Sequence, residues 1–412
     1  MKKSGILMLA LLLGIGIMTG CGDEVSVPEP VTPGPSTQPV KEEADPPEDQ
    51  TEQIQETPEE EEETGEAFLQ SDGDDLYHDY WESGGAIAFV TGSGRIQDGV
   101  YNQAVYDGVK MYAQGAGVSY SYYVAQVDSD EGYRKAVDQA LGTDTRLVVT
   151  VGTHFDKIIG DYQVEYPNVA FLMIDGVPTD EDGNETAIAP NVHCILFEEQ
   201  EAGYLAGYMA VMDGFRKFGF IGGESMDPVV DYGYGYLAGI DDAAKTLGVS
   251  REIEVNYWYS GSFVANSSIR DTAEMWYKDG TEVIFCCGGA LYQSVLDAAR
   301  HRDGWIIGVD INQNELSDVV LTSAMKGVDH ATVIALDDYF AFGGWSEEMA
   351  GKADSYGVKE HCCGLPEAPW RFRTVTIRDY DNLYGMLRRN EIDVPNHEGA
   401  FPTVSVDVQE WR

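Results

Sequence analysis

The stretch of the chain richest in chemical possibility is Val90–Gln103, VTGSGRIQDGVYNQ. It sets three glycines and an aspartate between an apolar run and the start of a helical pattern. Glycine-rich turns from strand to helix cradle phosphate when backbone N–H groups and a helix N-terminus converge. Two features argue against that chemistry here. Gly92 and Gly94 are followed by Gly99, which is not G-x-G-x-x-G spacing, and no Lys-Ser/Thr pair follows as in a P-loop. Asp98 would repel a phosphate and fits better as the cap of the helix that follows.

The other constellations point away from catalysis. G-x-S-x-G, H-E-x-x-H and G-x-x-x-x-G-K-[ST] are all missing, and the seven histidines are scattered. No catalytic residue is therefore expected. Beyond Cys21 the cysteines are Cys194, Cys286, Cys287, Cys362 and Cys363, an odd number without C-x-x-C spacing, which excludes a complete disulfide framework. His361–Cys363 offers metal-ligand types, yet no second pair of ligands stands at a suitable distance, so neither metal nor cofactor is expected. With 26 basic residues against 71 acidic ones and a net charge of −45, the chain is a poor partner for nucleic acid, whose phosphates need Lys and Arg.

The elements that would carry these residues begin after a targeting segment. Lys2 and Lys3 precede an apolar run, Ile6 to Met18, too short for a comfortable membrane span, and Cys21 follows two small residues. This resembles a lipoprotein signal, residues 1–20, with Cys21 as the lipidated N-terminus of an exported chain held on the cell membrane's outer face. Residues 21–80, rich in Pro, Glu and Thr and poor in large apolar residues, read as a solvated stalk. From about residue 84, short apolar runs alternate with amphipathic helical patterns. The first block includes AIAFVTG, TRLVVTVGT and NVAFLMIDG; the second includes KFGFIGG, TEVIFCCGG and WIIGVDINQ. Such alternation means βαβ units and parallel sheets. Two successive blocks predict two lobes with a cleft between them, and ligands of such sheets bind beyond the strands' carboxyl ends.

In this order and spacing, VTGSGRIQDGVYNQAVYDGVK, EEQEAGYLAGYMA, GFIGG, GYLAGIDDAAKTLG, SGSF, GTEVIFCCGGALYQSVLDAA, WIIGVDINQ, VLTSAMKGVDHA and LRRNEIDVP together resemble the basic membrane protein (PnrA-like) family of nucleoside-binding lipoproteins that feed ABC transporters. The resemblance runs from about Gly84 to Pro395. It implies an α/β periplasmic-binding-protein type I fold, two Rossmann-like lobes closing by a hinge on a purine nucleoside. It also implies permease and ATPase subunits as partners and a monomeric binding protein. The expected division is lobe 1 at about 84–192 plus 318–345, lobe 2 at about 193–317, and a C-terminal extension at about 346–412.

The resemblance also implies a ligand set. Tyr101 and Phe263 would sandwich the base, one from each lobe; by itself Tyr101 also reads as a first-turn core contact. Asn102 would bond the ligand or fix its loop. Asp310 would grip the ribose hydroxyls, with Lys326 donating to the same sugar and neutralising Asp310. Gly288 and Gly289 would let backbone N–H groups approach. Asp175 would read base nitrogens, or serve only as a turn residue. Ser93 and Asp98 complete the set from the first loop, where Gly92 replaces the family's ligand-binding Asp. That replacement leaves a sugar-like ligand open, and a sensor working with a membrane receptor shares the same fold. His154–Phe155 and the Tyr-rich VVDYGYGY stand either as pocket-shaping or as packing. A nucleoside hydrolase would need a catalytic signature that the chain lacks.

Overall fold

The computed structural model describes residues 86–92, 101–142 and 144–411, all within one unit spanning Thr64–Arg412. Residues 1–80, with the expected signal, Cys21 and the stalk, lie outside the described residues, as do Ser93 and Asp98.

The alternation of the sequence becomes two parallel sheets. The first is built from β1 (Ala86–Thr91), β2 (Tyr120–Val124), β3 (Thr145–Val151), β4 (Ala170–Ile174) and β5 (Val192–Phe197), interleaved with α1 (Tyr101–Ala116), α2 (Asp130–Leu141) and α3 (Asp156–Glu165). These strands are almost wholly apolar because helices cover both faces, burying Ile87, Phe89 and Val149 on one side and Ala88, Val90 and Val148 on the other. The second sheet follows α4 (Glu199–Met212). It comprises β6 (Lys217–Gly222), β7 (Glu254–Tyr259), β8 (Val283–Cys287), β9 (Trp305–Asp310) and β10 (Val320–Lys326), with α5 (Asp227–Leu247), α6 (Ser267–Lys278) and α7 (Tyr292–Arg302) between them. The helix starts follow local rules: the Ser129 side chain accepts from the Gly132 N–H before α2, and Asn266 accepts from the Ile269 N–H before α6.

Beyond β10 come α8 (Val328–Phe342), β11 (Lys352–Tyr356), β12 (Cys363–Gly364), α9 (Ile377–Arg388) and β13 (Asp407–Trp411). The strand order is β11-β5-β4-β3-β1-β2 in one sheet and β12-β10-β9-β8-β6-β7-β13 in the other, with only the β10–β12 pairing antiparallel. The chain crosses between the sheets three times: from β5 into α4, from β10 into α8, and from β11 to β12. The sheets therefore divide the chain differently from the expected boundaries. β5 belongs to the first lobe, β10 to the second, and only α8 returns from the 318–345 segment to pack on α1. The boundary misses because apolar runs do not say which sheet they join; a parallel strand finds its neighbour through a long crossover, invisible to local pattern.

Helices α4 and α5 meet backbone to backbone. A Cβ at Gly203 would lie 2.2 Å from the Tyr232 carbonyl oxygen, and one at Gly235 would lie 1.9 Å from that of Gln200. The small residues of EEQEAGYLAGYMA thus fix this approach.

The last segment wraps the second lobe. Asp213, at the end of α4, accepts from the backbone N–H groups of Arg373, Thr374 and Val375 and from the Thr374 hydroxyl. Asp231 accepts from the His397 backbone N–H and pairs with its Nδ1, and Asp241 accepts from the Ser405 N–H and hydroxyl. All three carboxylates are buried, and each answers its desolvation with several donors.

Candidate functional site

Both sheets share the core order second-first-third-fourth-fifth strand, so each has a switch point where its crossovers diverge: β1/β3 in the first lobe and β6/β8 in the second. Crevices open beyond the strand ends at such points. A cavity of about 320 Å³ lies there. Eight of the expected ligand residues line it together: Tyr101, Asn102, Asp175, Phe263, Gly288, Gly289, Asp310 and Lys326. They are drawn from both lobes and from strand ends far apart in sequence.

The polar wall is an ion-pair cluster at the junction of the lobes. Lys326, 5% exposed, ends β10 just before the second crossing and bonds Asp175 at the end of β4 and, at 3.0 Å, Glu199 at the start of α4. The Tyr101 hydroxyl donates to the same Asp175 oxygen, and the Lys326 ammonium sits 4.8 Å from the Tyr101 ring centroid and 5.3 Å from that of Phe197. Burial opposes the charge of Lys326, but Asp175, Tyr101, Glu199 and Asp310 outweigh it and hold its pKa well above the usual lysine value. Burial pushes the Glu199 carboxyl up, with Lys326 pulling the other way. Burial, then Asp175, raises the Tyr101 phenol well above its usual range.

One expectation about this cluster is corrected. Lys326 directs its ion pairs to Asp175 and Glu199 rather than to Asp310. The register explains this: Met325 stands opposite Asp310, so Lys326, one residue on, turns to the other side, toward the β5–α4 junction. Asp175 is an ion-pair partner as well as a cavity residue, and its φ of 54° puts it in the left-handed region that Asp tolerates better than most residues. Asp310 does the same at the end of β9, with φ of 64°, and accepts from the Tyr232 hydroxyl at 3.3 Å. The two aspartates thus end equivalent strands in the two lobes with the same backbone turn.

The facing wall is apolar and glycine-built. Phe263 lies over Gly223, Gly288 and Gly289. A Cβ at Gly223 would stand 2.3 Å from its ring, and one at Gly288, where φ is +131°, would stand 2.7 Å away. The glycine pair therefore seats the aromatic ring, a role distinct from the backbone approach read from the sequence. Met226, Pro228 and Val229 line the cavity beside it.

Several residues in or behind the cavity wall escaped the sequence reading. Glu199 looked like an ordinary acidic residue of a first helical turn. Tyr232 was one of three tyrosines in VVDYGYGY; it shares a face of α5 and a core cluster with Tyr236, one turn on, and also reaches the cavity. Cys286 and Cys287 alternate across β8, so Cys286 donates to the Ile307 carbonyl in the core and Cys287 faces the cavity. In GTHF, Thr153 lines the cavity, whereas Phe155 is buried in the first lobe and His154 stacks on Tyr133 at 4.9 Å. A Cβ at Gly92 would begin 3.4 Å from Tyr133, an ordinary contact. Among the described residues all five cysteines are free and buried, no group of three or more His, Cys, Asp or Glu side chains is arranged to hold a metal ion, and no helix is long and apolar enough to cross a membrane.

Residues 86–395 match the family of PnrA-like ABC transporter substrate-binding proteins. Basic membrane protein A1 of Borrelia garinii subsp. bavariensis is 26% identical over 312 residues, covering 75% of this chain and 88% of its own length. A protein named ABC transporter nucleoside-binding protein BmpA, from Lactococcus lactis subsp. cremoris, is 27% identical over 264 residues, 58% of this chain and 71% of its own. Among solved structures, an ABC transporter solute-binding protein from Aeropyrum pernix K1 superposes with a TM-score of 0.62 at 20% identity, covering 76% of this chain and 94% of that one. The fold is the periplasmic-binding-protein type I fold. Two switch-point crevices facing each other over a polar and an aromatic wall are what such a fold provides for a small solute, and the chain belongs to the PnrA-like family of ABC transporter substrate-binding proteins, which bind rather than transform their ligands.

Proposed function

We propose that this protein is an extracytoplasmic lipoprotein, anchored through Cys21 and raised on its acidic stalk, that delivers a purine nucleoside to an ABC permease and its ATPase. The observation that carries this reading is the single cavity lined by Tyr101 from one lobe and Phe263 from the other, with Asp310 and Lys326 at one end. The base stacks between the two rings, using the Tyr101 face away from Lys326. Asp310 accepts from vicinal sugar hydroxyls, a task suited to an ionised carboxylate with two oxygens. Asn102 and Asp175 meet the edge of the base. The relative from Lactococcus, named for nucleoside binding, supports the ligand class. Clustered carboxylates and a lysine already held by two of them oppose phosphate, which favours nucleosides over nucleotides.

Thermal-shift titration of the purified protein with purine nucleosides, free bases and sugars tests this. A ligand that binds only the folded state raises the midpoint by mass action, about 2.7 kcal/mol at a hundredfold excess over Kd. A nucleoside should shift the midpoint where ribose and bases do not; a flat response to every nucleoside overturns the proposal.

A further inference from the structure

A second cavity, of about 690 Å³, shares Asp310 and Lys326 with the first. Its far wall is α9 with the segment around His361–Glu367, a part of the chain whose pattern matches no motif of the ligand set. Its near wall includes Ala104 of α1 and Asp329 at the start of α8, so residues of both lobes and of the C-terminal segment meet there.

The lining has a definite chemistry. Four carboxylates, Asp310, Asp329, Glu367 and Asp381, face Lys326 and Arg388, with His361 at the edge. Lys326 is already held by Asp175 and Glu199. Tyr380 reaches the cavity although it is only 5% exposed: its hydroxyl accepts from the Leu365 N–H at 3.0 Å, and its own hydrogen has no acceptor among the described residues. Gly364 makes this possible, since a Cβ there would stand 2.8 Å from that hydroxyl. A buried donor with nothing to donate to costs free energy unless water or a ligand answers it.

We infer that the ligand extends past Asp310 and Lys326 into this second cavity, carrying on its sugar a cationic group that meets Asp381 and Glu367 and a hydroxyl that accepts from Tyr380. The inference rests on the nucleoside reading above and enlarges its ligand. Four carboxylates outnumber Arg388 and a lysine already paired elsewhere, so the lining disfavours an anion; an amine gains from the carboxylates, and a hydroxyl can accept from Tyr380.

The test is a calorimetric titration of the protein with adenosine, its 3′-amino-3′-deoxy and 5′-amino-5′-deoxy analogues, and the 3′- and 5′-monophosphates. At least one amino analogue should bind about fivefold or more tightly than adenosine, an advantage that shrinks with salt, and both phosphates should bind more weakly. In the double variant Glu367→Gln/Asp381→Asn, two exposed positions whose exchange spares the core, the ratio of amino analogue to adenosine should fall toward one. Amino analogues that bind no better than adenosine, a phosphate that binds more tightly, or a ratio unchanged in the variant each overturns the inference while leaving the nucleoside reading intact. No binding by adenosine or any analogue overturns both.

Discussion

The two lobes share one strand order and differ in what they contribute and how they are finished. At the site, the first lobe presents hydrogen-bonding groups, Tyr101, Asn102 and Asp175, whereas the second presents Phe263 seated on glycines beside Met226 and Val229, with Asp310 and Lys326 as its polar end. At the periphery, the first lobe leaves β2 as an edge strand, whereas the second has both edges paired, β12 on β10 and β13 on β7. The belt of residues 373–411 is tied down through three buried aspartates on α4 and α5. The second lobe therefore reads as the better-braced half, and the first as the half that brings the polar recognition. One topology supports both tasks because function resides in the loops after the strands, which vary freely once the sheet is built.

The strongest challenge to this division is the cluster that belongs to both lobes. Lys326→Met leaves Asp175 and Glu199 buried without their cation, and breaking such a pair costs about 3–5 kcal/mol. Urea unfolding should show that loss; a change below 1 kcal/mol would mean that the cluster does not hold the lobes. Next comes Phe263→Ala, predicted to weaken nucleoside binding by about 1–3 kcal/mol, the value of one base–aromatic stack, with little change in melting temperature. Asp213→Ala removes the acceptor of four donors from the belt and should cost about 1–3 kcal/mol, with faster amide exchange confined to α9 and β13. Exchange rising equally in the first lobe would erase the distinction. Tyr101→Phe deletes one hydrogen bond to Asp175 and should cost about 0.5–1.5 kcal/mol of stability while keeping the stacking ring.

The smallest effect is that of pH. Burial raises Asp156 to about 8 and Glu201 to about 7, and His397, opposed by burial but held by Asp231, is raised above its ordinary value. In each case the folded chain retains a proton that the unfolded chain has released, so stability falls as pH rises from about 5 to about 8. Calorimetry should give a higher melting temperature at pH 6 than at pH 8; the reverse order would place these groups in a more solvated setting than their burial indicates.

Much of this was legible beforehand, and the reason differs by region. Strands such as AIAFVTG and VIFCC announce themselves because a strand buried on both faces must be apolar throughout, and the glycines after them mark the cleft. The residues expected at the cavity were named through the family resemblance, whose motifs follow one another in order along the chain, and eight of them line one space. Partnership was not legible: Lys326 lies 151 residues from Asp175 and 127 from Glu199, and nothing local in SAMKGVD says which carboxylate it meets. The belt was hidden for a related reason. Asp213, Asp231 and Asp241 look like surface aspartates of helices until distant backbone arrives to bury them, and β13 joins β7 across about 150 residues with only DVQEW as its pattern.

That long reach bears on how the molecule is made. A chain emerging from its N-terminus completes the first lobe's strands β1 to β5 early, but until residues 373–405 appear Asp213 and Asp231 lack the donors they meet in the belt and Asp241 has only Lys245, 2.6 Å away on its own helix. Until then their carboxylates keep their water, and α4 and α5 cannot be sealed on the side that the belt covers. The second lobe is thus finished by the last residues synthesised, and a chain stopped short of Arg373 would carry a complete first lobe beside a second that cannot close its own surface.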